Sequence, residues 1–216
     1  MSFDLEFAWR VLPELLSALR LTLVATLGGM SIAAVWGLLW TVLRRARSPL
    51  VRGSAAFAVQ FVRNTPLLVQ LHFLFYVLPE AGLRLAPLAC GILGLGLHYS
   101  AYLSEVYRAG IEGVPRGQWE AASALGLGRG TTFFRIVLPQ AIRPILPALG
   151  NHFVGMFKDT PLLAAITVVE VMQRAKIIGS ETFRYLEPLT LVAVLFLVLT
   201  VVTSRAIHRL EGAHAH

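Results

Sequence analysis

A chain of 216 residues in which 56% are hydrophobic and 14% charged, with a mean hydropathy of +0.68, is far from the soluble average of about 25% charged residues. An ordinary water-soluble enzyme or binding module is excluded, and the bilayer becomes the expected solvent. The net charge of +7 comes from arginines strung along membrane boundaries and not gathered on one face, which argues against a nucleic-acid partner; the single cysteine, Cys90, leaves no intrachain disulfide or cysteine metal cluster.

Crossing about 30 Å of hydrocarbon takes about 20 apolar residues. Met1–Trp9 reads as a short amphipathic lead-in at the interface. Asp4, Glu6 and the lack of a basic region followed by a cleavable apolar core argue against a signal peptide, so the first span is expected to be retained. Spans are expected at Leu15–Leu43, Ala55–Leu78, Ala86–Val106, Ala141–Lys158 and Pro188–Ile207, which makes a five-helix, all-α integral membrane protein of one domain. Pro161–Met172 is apolar but only about a dozen residues long, and reads as re-entrant or interfacial.

Arginine placement orients these spans. Arg44, Arg45, Arg47 and Arg52 fill the first loop, Arg108, Arg116, Arg129 and Arg135 the third, and Arg205 and Arg209 follow the last span. The connection between the second and third spans has Arg84, offset by Glu80. The positive-inside rule therefore puts the N-terminus outside, and the first loop, the third loop and the C-terminus in the cytoplasm.

The third loop, about residues 112–139, holds the most informative segment, Glu120-Ala121-Ala122-Ser123-Ala124-Leu125-Gly126-Leu127-Gly128. Pro115 suits a first helical turn, Arg116–Leu127 are good helix formers, and Gly126, Gly128 and Gly130 end the helix. Ala121, Ala122 and Ala124 keep its surface low, so another backbone can come close, and Glu120 sets a charge at the rim. This is the pattern of a docking site. The chain has no G-x-x-x-x-G-K-[ST] string, no H-E-x-x-H and no G-x-S-x-G, so it is not expected to be an enzyme, to carry catalytic or metal-binding residues, or to bind ATP itself.

Three polar clusters interrupt the spans. Asn64, Thr65 and Gln70 flank Pro66, which removes a helical hydrogen bond and opens the helix toward a wet cavity or a packing kink. His98, Tyr102 and Glu105 share one face of the third span, below the small-residue ridge Ala86, Cys90 and Gly94. Glu105 reads either as a pathway group or as the partner of Arg108, and His98 either as a ligand contact or as an interhelical hydrogen bond. Lys158, Asp159 and Thr160 precede Pro161; Lys158 and Asp159 diverge by about 100° on a helix, so each meets a separate charge, either on one solute or on neighbouring helices. An uncharged polar lining with one cation and one anion suits a small zwitterion.

Glu120, Ala121, Ala122, Gly126, Ile136, Leu138 and Pro139 resemble, in type and spacing, the EAA loop of bacterial ABC importer permeases. From Val62 to Thr200 the chain is similar to the polar amino acid group that includes histidine and glutamine importers, through Arg63-Asn64-Thr65-Pro66-Leu67-Leu68-Val69-Gln70, Glu112–Gln118 and Lys158-Asp159-Thr160. The resemblance implies a type I importer fold, with Glu120, Ala121, Ala122 and Gly126 in a cytoplasmic coupling helix. It implies as partners a cytoplasmic ATPase dimer that binds ATP and Mg, a second identical or homologous permease, an extracytoplasmic solute-binding protein and the lipid of a bacterial inner membrane. His98–Arg108 and Ile178–Pro188 look most similar to ectoine and hydroxyectoine permeases, so the cargo implied is ectoine, hydroxyectoine or a polar amino acid. The rival reading is a non-transporting membrane scaffold or sensor that uses the same loop only to hold a cytoplasmic partner.

Overall fold

The computed structural model describes residues 3–213, so Met1 and Ser2 of the expected lead-in lie outside the described residues. Helix α1 (Leu5–Leu43) is continuous from its start, and the lead-in is part of it rather than a separate interfacial segment. The reason is local: the Asp4 carboxylate accepts the Phe7 N–H at 3.1 Å and starts the helix there.

The second span is broken. α2 (Pro49–Asn64) stops where Thr65 is extended, with φ −99° and ψ 128°, and α3 (Leu67–His72) continues through a π turn, Phe73–Val77, and a 3-10 turn, Leu78–Ala81. The two halves meet at 103°. Proline disfavours helical geometry in the residue before it and has no N–H to give, which places the break at Thr65-Pro66. α4 (Pro87–Glu112) follows, then the short helices α5 (Arg116–Ala124) and α6 (Arg129–Thr132), and a π turn that runs into α7 (Leu138–Asp159).

After α7 the run Thr160–Ile166 forms a 3-10 turn, closed by Thr167 in the left-handed region. α8 (Val171–Thr182) and α9 (Leu186–Ala213) complete the chain. The expected re-entrant run therefore ends early. Glu170 caps α8, accepting the Gln173 N–H at 2.7 Å and the Met172 N–H at 3.0 Å, and so starts a helix that apolarity alone does not reveal.

Two helices, α1 and α9 as far as Ile207, are long and apolar enough to cross a membrane, and α2 with α3 makes a third if counted as one bent span. α4 and α7 are long enough but fall short in apolarity, because polar residues such as His98, Ser100, Ser104, Glu105 and Arg108 on α4 and Gln140, Arg143, Asn151 and His152 on α7 lower their hydropathy. α1 packs along α4 through the seam Ala25, Gly29, Ala33, Gly37 and Thr41, spaced four residues apart. The approach is close enough that a Cβ on Gly96 would lie 2.6 Å from Ile32 and 3.2 Å from the Gly29 carbonyl oxygen. Across the seam the Trp40 indole donates to Ser100 Oγ at 3.2 Å, and Thr41 Oγ1 to the Ser104 carbonyl at 3.2 Å. α4 thus lies in the middle, between α1 on one side and α7 on the other.

Candidate functional site

Two regions hold the residues that the sequence singles out. The first is α5. Glu120 and Ala121 are exposed on it, and Ala122, 1% exposed, is its one buried residue. Its end is a glycine motif: the Leu127 N–H donates to the Ala122 carbonyl and the Gly126 N–H to that of Ser123, both at 3.0 Å, with Gly126 at φ +69°. A Cβ on Gly126 would meet nothing within 4 Å, so backbone conformation and not space is what calls for glycine there. Trp119, Leu125, Leu127 and Phe134 add exposed apolar surface around this helix. Pattern matching to the alanines passes over them; the unburied aromatics of a loop outside the spans were the available signal.

The second region is the polar side of α4. At its lower end Glu105 joins three helices. Its carboxylate accepts from Arg44 at 2.8 Å, from Arg63 at 3.3 Å and from Arg108 at 2.8 Å, while Arg108 also donates to Glu112 at 2.6 Å. Both oxygens of Glu105 are therefore engaged. Arg63 also lies over the Tyr102 ring, 5.5 Å from its centre, and its carbonyl accepts from Tyr102 Oη at 3.4 Å.

Above this joint, α4 and α7 enclose a cluster of rings. His98, Tyr99, Tyr102 and His152 lie with centroids 5.2 to 6.2 Å apart, and Tyr99 Oη donates to Asp159 at 2.7 Å. His98 Nδ1 is buried without a partner. The arrangement is an aromatic compartment with a carboxylate at one end and a guanidinium at the other. Such a compartment can hold a cation against ring faces and Asp159, and an anion against Arg63.

The other candidates lie around this compartment. Gln70 Nε2 donates to the Val62 carbonyl at 2.8 Å and to that of Thr65 at 2.9 Å, which satisfies backbone groups at the Pro66 break. Thr65 Oγ1 donates to the Phe61 carbonyl at 2.8 Å, and Asn64 is exposed. Thr160 is fully buried, with Oγ1 on the Phe157 carbonyl at 2.8 Å. Lys158 turns away from Asp159 and lines a groove against α9 with Pro161, Leu189 and Phe196. Tyr99 and His152 are the residues that the α4 stripe misses. Their signals were present: Tyr99 is three residues from Tyr102, and His152 is seven from Asp159, each spacing keeping to one helix face.

Comparison with known proteins agrees with this architecture. The family described as binding-protein-dependent transport system inner membrane components matches residues 29–213. A probable amino-acid ABC transporter permease of Sinorhizobium fredii is 48% identical over 201 residues, 93% of this chain and 87% of the relative. The glutamine transport system permease GlnP of Escherichia coli is 33% identical over 98% of this chain and 97% of its own length. Among solved structures, an amino acid ABC transporter described "with histidines" superposes with a TM-score of 0.94 at 32% identity, covering 99% of this chain and 100% of that one. The MetNI methionine ABC transporter in an inward-facing conformation gives 0.74 at 18% identity, covering 98% of this chain and 99% of that one, a likeness of fold.

Proposed function

The chain belongs to the family of binding-protein-dependent transport system inner membrane components and is the permease subunit of an amino-acid ABC importer; we propose that its cargo is a small polar amino acid held between Asp159 and Arg63. The observation that carries this reading is the ring compartment between α4 and α7, with Tyr99 on Asp159 at 2.7 Å and Arg63 over Tyr102 at 5.5 Å. The ammonium of the cargo goes to Asp159 and the faces of Tyr99 and Tyr102, its carboxylate goes to Arg63, and His98 and His152 offer ring nitrogens to a polar side chain. In the relatives, GlnP is named for glutamine and the solved transporter is described with histidines, cargoes of this class. Ectoine and hydroxyectoine are compact zwitterions that present the same two charges, and titrating the importer's solute-binding protein with ectoine, glutamine and arginine decides among them.

Glu120, Ala121, Ala122 and Gly126 dock a cytoplasmic ATPase dimer, which binds ATP and Mg, on the inner-membrane face that the arginines mark. A second permease, identical or homologous, and an extracytoplasmic binding protein complete the importer. Glu105 fits a joint that holds α1, α2 and α4 together beneath the compartment, and Gln70, Thr65, Asn64, Lys158 and Thr160 shape its surroundings.

The test is uptake by the reconstituted importer. Asp159→Asn is expected to lower uptake at least about tenfold, roughly the loss of one charge-assisted contact, while the ATPase stays bound. Unchanged rate and affinity would assign Asp159 to holding Tyr99 and not the cargo. A scaffold or sensor is separated by ATP hydrolysis: loaded binding protein stimulates it several-fold in an importer and leaves it unchanged in a scaffold.

A further inference from the structure

Beside the crossing of α4 and α7, below the ring compartment, is a cavity of about 690 Å³, within the range of about 300–1,000 Å³ typical of ligand sites. The helices touch at Gly110, where a Cβ would lie 2.4 Å from Ile145 and 3.1 Å from the Ala141 carbonyl. The cavity runs along this contact. Val106, Ala109 and Ala148 give it smooth walls, and Gly113-Val114-Pro115, the turn that leads into α5, lies against it. It continues the faces that carry the rings: Val106 is one turn from Tyr102 on α4, and Ala148 is one turn from His152 on α7.

Its polar groups are few and specific. Arg143 lines it and makes no hydrogen bond or ion pair among the described residues, although it falls within the expected fourth span. A cation on a membrane helix is costly without a counter-charge. Gln140 also lines it; Nε2 is committed to the Ile136 carbonyl at 2.8 Å and Gln118 at 3.5 Å, and the amide oxygen accepts nothing among the described residues. Pro144 and Pro147 supply two further acceptors by subtraction. Neither has an N–H, so the carbonyls four residues back, those of Gln140 and Arg143, lose their helical partners. One guanidinium, one amide oxygen and two carbonyls that lack their i+4 N–H thus belong to two residues at a single cavity.

We propose that this cavity is a second amino-acid site, at the cytoplasmic mouth of the α4–α7 groove, in which Arg143 takes the α-carboxylate and the oxygens of Gln140 and Arg143 take the α-ammonium. The inference rests on the importer reading and on the orientation given by the arginines. It adds a station for the cargo between the ring compartment and the cytoplasm, against the turn that positions α5. Because Arg143 and these oxygens read only the two charges that every α-amino acid carries, the site accepts amino acids whether or not they are imported.

That property sets the test, which is labelling of Ala148→Cys by a maleimide in the assembled importer, in inside-out and right-side-out vesicles. Cys90 is buried and leaves little background. Labelling is expected from the cytoplasmic side, slowed at least about threefold by millimolar L-alanine and unaffected by L-alaninamide, which lacks the carboxylate. Arg143→Gln in the same background is expected to remove the protection, and Arg143→Lys to keep part of it. Three results would overturn the proposal: labelling from the outside alone, equal protection by acid and amide, or no protection by L-alanine, which would leave Arg143 to a lipid phosphate or a carboxylate of the second permease. The acid and amide comparison needs no change at Arg143, so it stands even if that variant fails to fold. Uptake with a loaded binding protein reports separately on the importer reading, so failure of one is distinguishable from failure of the other.

Discussion

Two short helices, α5 and α8, are held in opposite ways. α8 is tied to its own chain: Glu170 caps it from a fully buried position, Val171 N–H donates to Thr22 Oγ1 at 3.4 Å, Arg174 pairs with Glu14, and a Cβ on Gly179 would meet the Tyr185 ring at 2.4 Å. α5 is tied by its one buried residue, Ala122, and by a long hydrogen bond from Gln140 Nε2 to Gln118 at 3.5 Å, and turns most of its surface outward. A helix of nine residues is too short to persist in water on its own. α8 draws its stability from inside the chain, whereas α5 has its glycine stop, its flanking turns and whatever covers it. A helix held from within and a helix turned outward differ in where their contacts lie, not in helix propensity.

The comparison breaks most sharply at the ends of the two helices. Gly126→Val forces a β-branched residue to φ +69°, a local cost of about 1–2 kcal/mol or more that falls on the turn beside Glu120. Uptake should fall by at least about tenfold, since a loss of about 1.4 kcal/mol in docking is already tenfold, while membrane insertion is retained. Co-purification of the ATPase and transport by the same vesicles check it, and wild-type uptake would remove Gly126 from the docking role. Glu170→Ala should do the reverse. It strips the acceptor from two N–H groups at a buried cap, at about 1–3 kcal/mol for each group left unsatisfied, so thermal unfolding in detergent should come several degrees lower while the ATPase still binds. Glu120→Ala is milder than either. It removes one exposed charge and should weaken ATPase binding by about two- to fivefold, most at low salt, as a pull-down over a salt series would show.

The smallest effect is expected at the outer corner that holds α8 and α9 to the start of α1. Arg184 donates to Glu187 at 2.6 Å and to Asp4 at 3.1 Å, and its guanidinium lies 4.3 Å from the centre of the Phe7 ring. The Phe7 N–H, then Arg184, holds the Asp4 carboxyl below its ordinary value of 3.8. A carboxylate with a lowered pKa in the folded state contributes stability that is complete above its unfolded value and is lost as pH falls through the folded one. Hydrogen-exchange protection at this corner, corrected for the intrinsic pH dependence of amide exchange, should therefore be unchanged from pH 7 to about pH 5 and lower below about pH 4, with no matching change at α5. A uniform response of both helices would remove the distinction between them.

Legibility in the sequence followed the range of the forces involved. The break at Thr65-Pro66 and the glycine end of α5 are local events, set by one proline and one left-handed turn, and both could be read from neighbouring residues. The start of α8 could not, because Glu170 can be buried as a cap only once α1 packs over it, and apolar run length says nothing about that. Lys158 and Asp159 show the same boundary. Helical geometry sends them apart, but only packing gives Asp159 to Tyr99 and Lys158 to the groove along α9.

By itself, then, the sequence determined the apolar solvent, the helical class and the places where prolines and glycines break the helices, since composition and short-range pattern carry those properties. Tertiary structure alone decided that Glu105 takes Arg44 and Arg63 besides its neighbour Arg108, that Tyr99 and His152 enter the ring compartment, and that Arg143 is left at a cavity without a counter-charge among the described residues. Each of these brings together groups from helices distant in the chain. A charge on one helix has no defined partner until another helix arrives, and where it arrives depends on the whole packing.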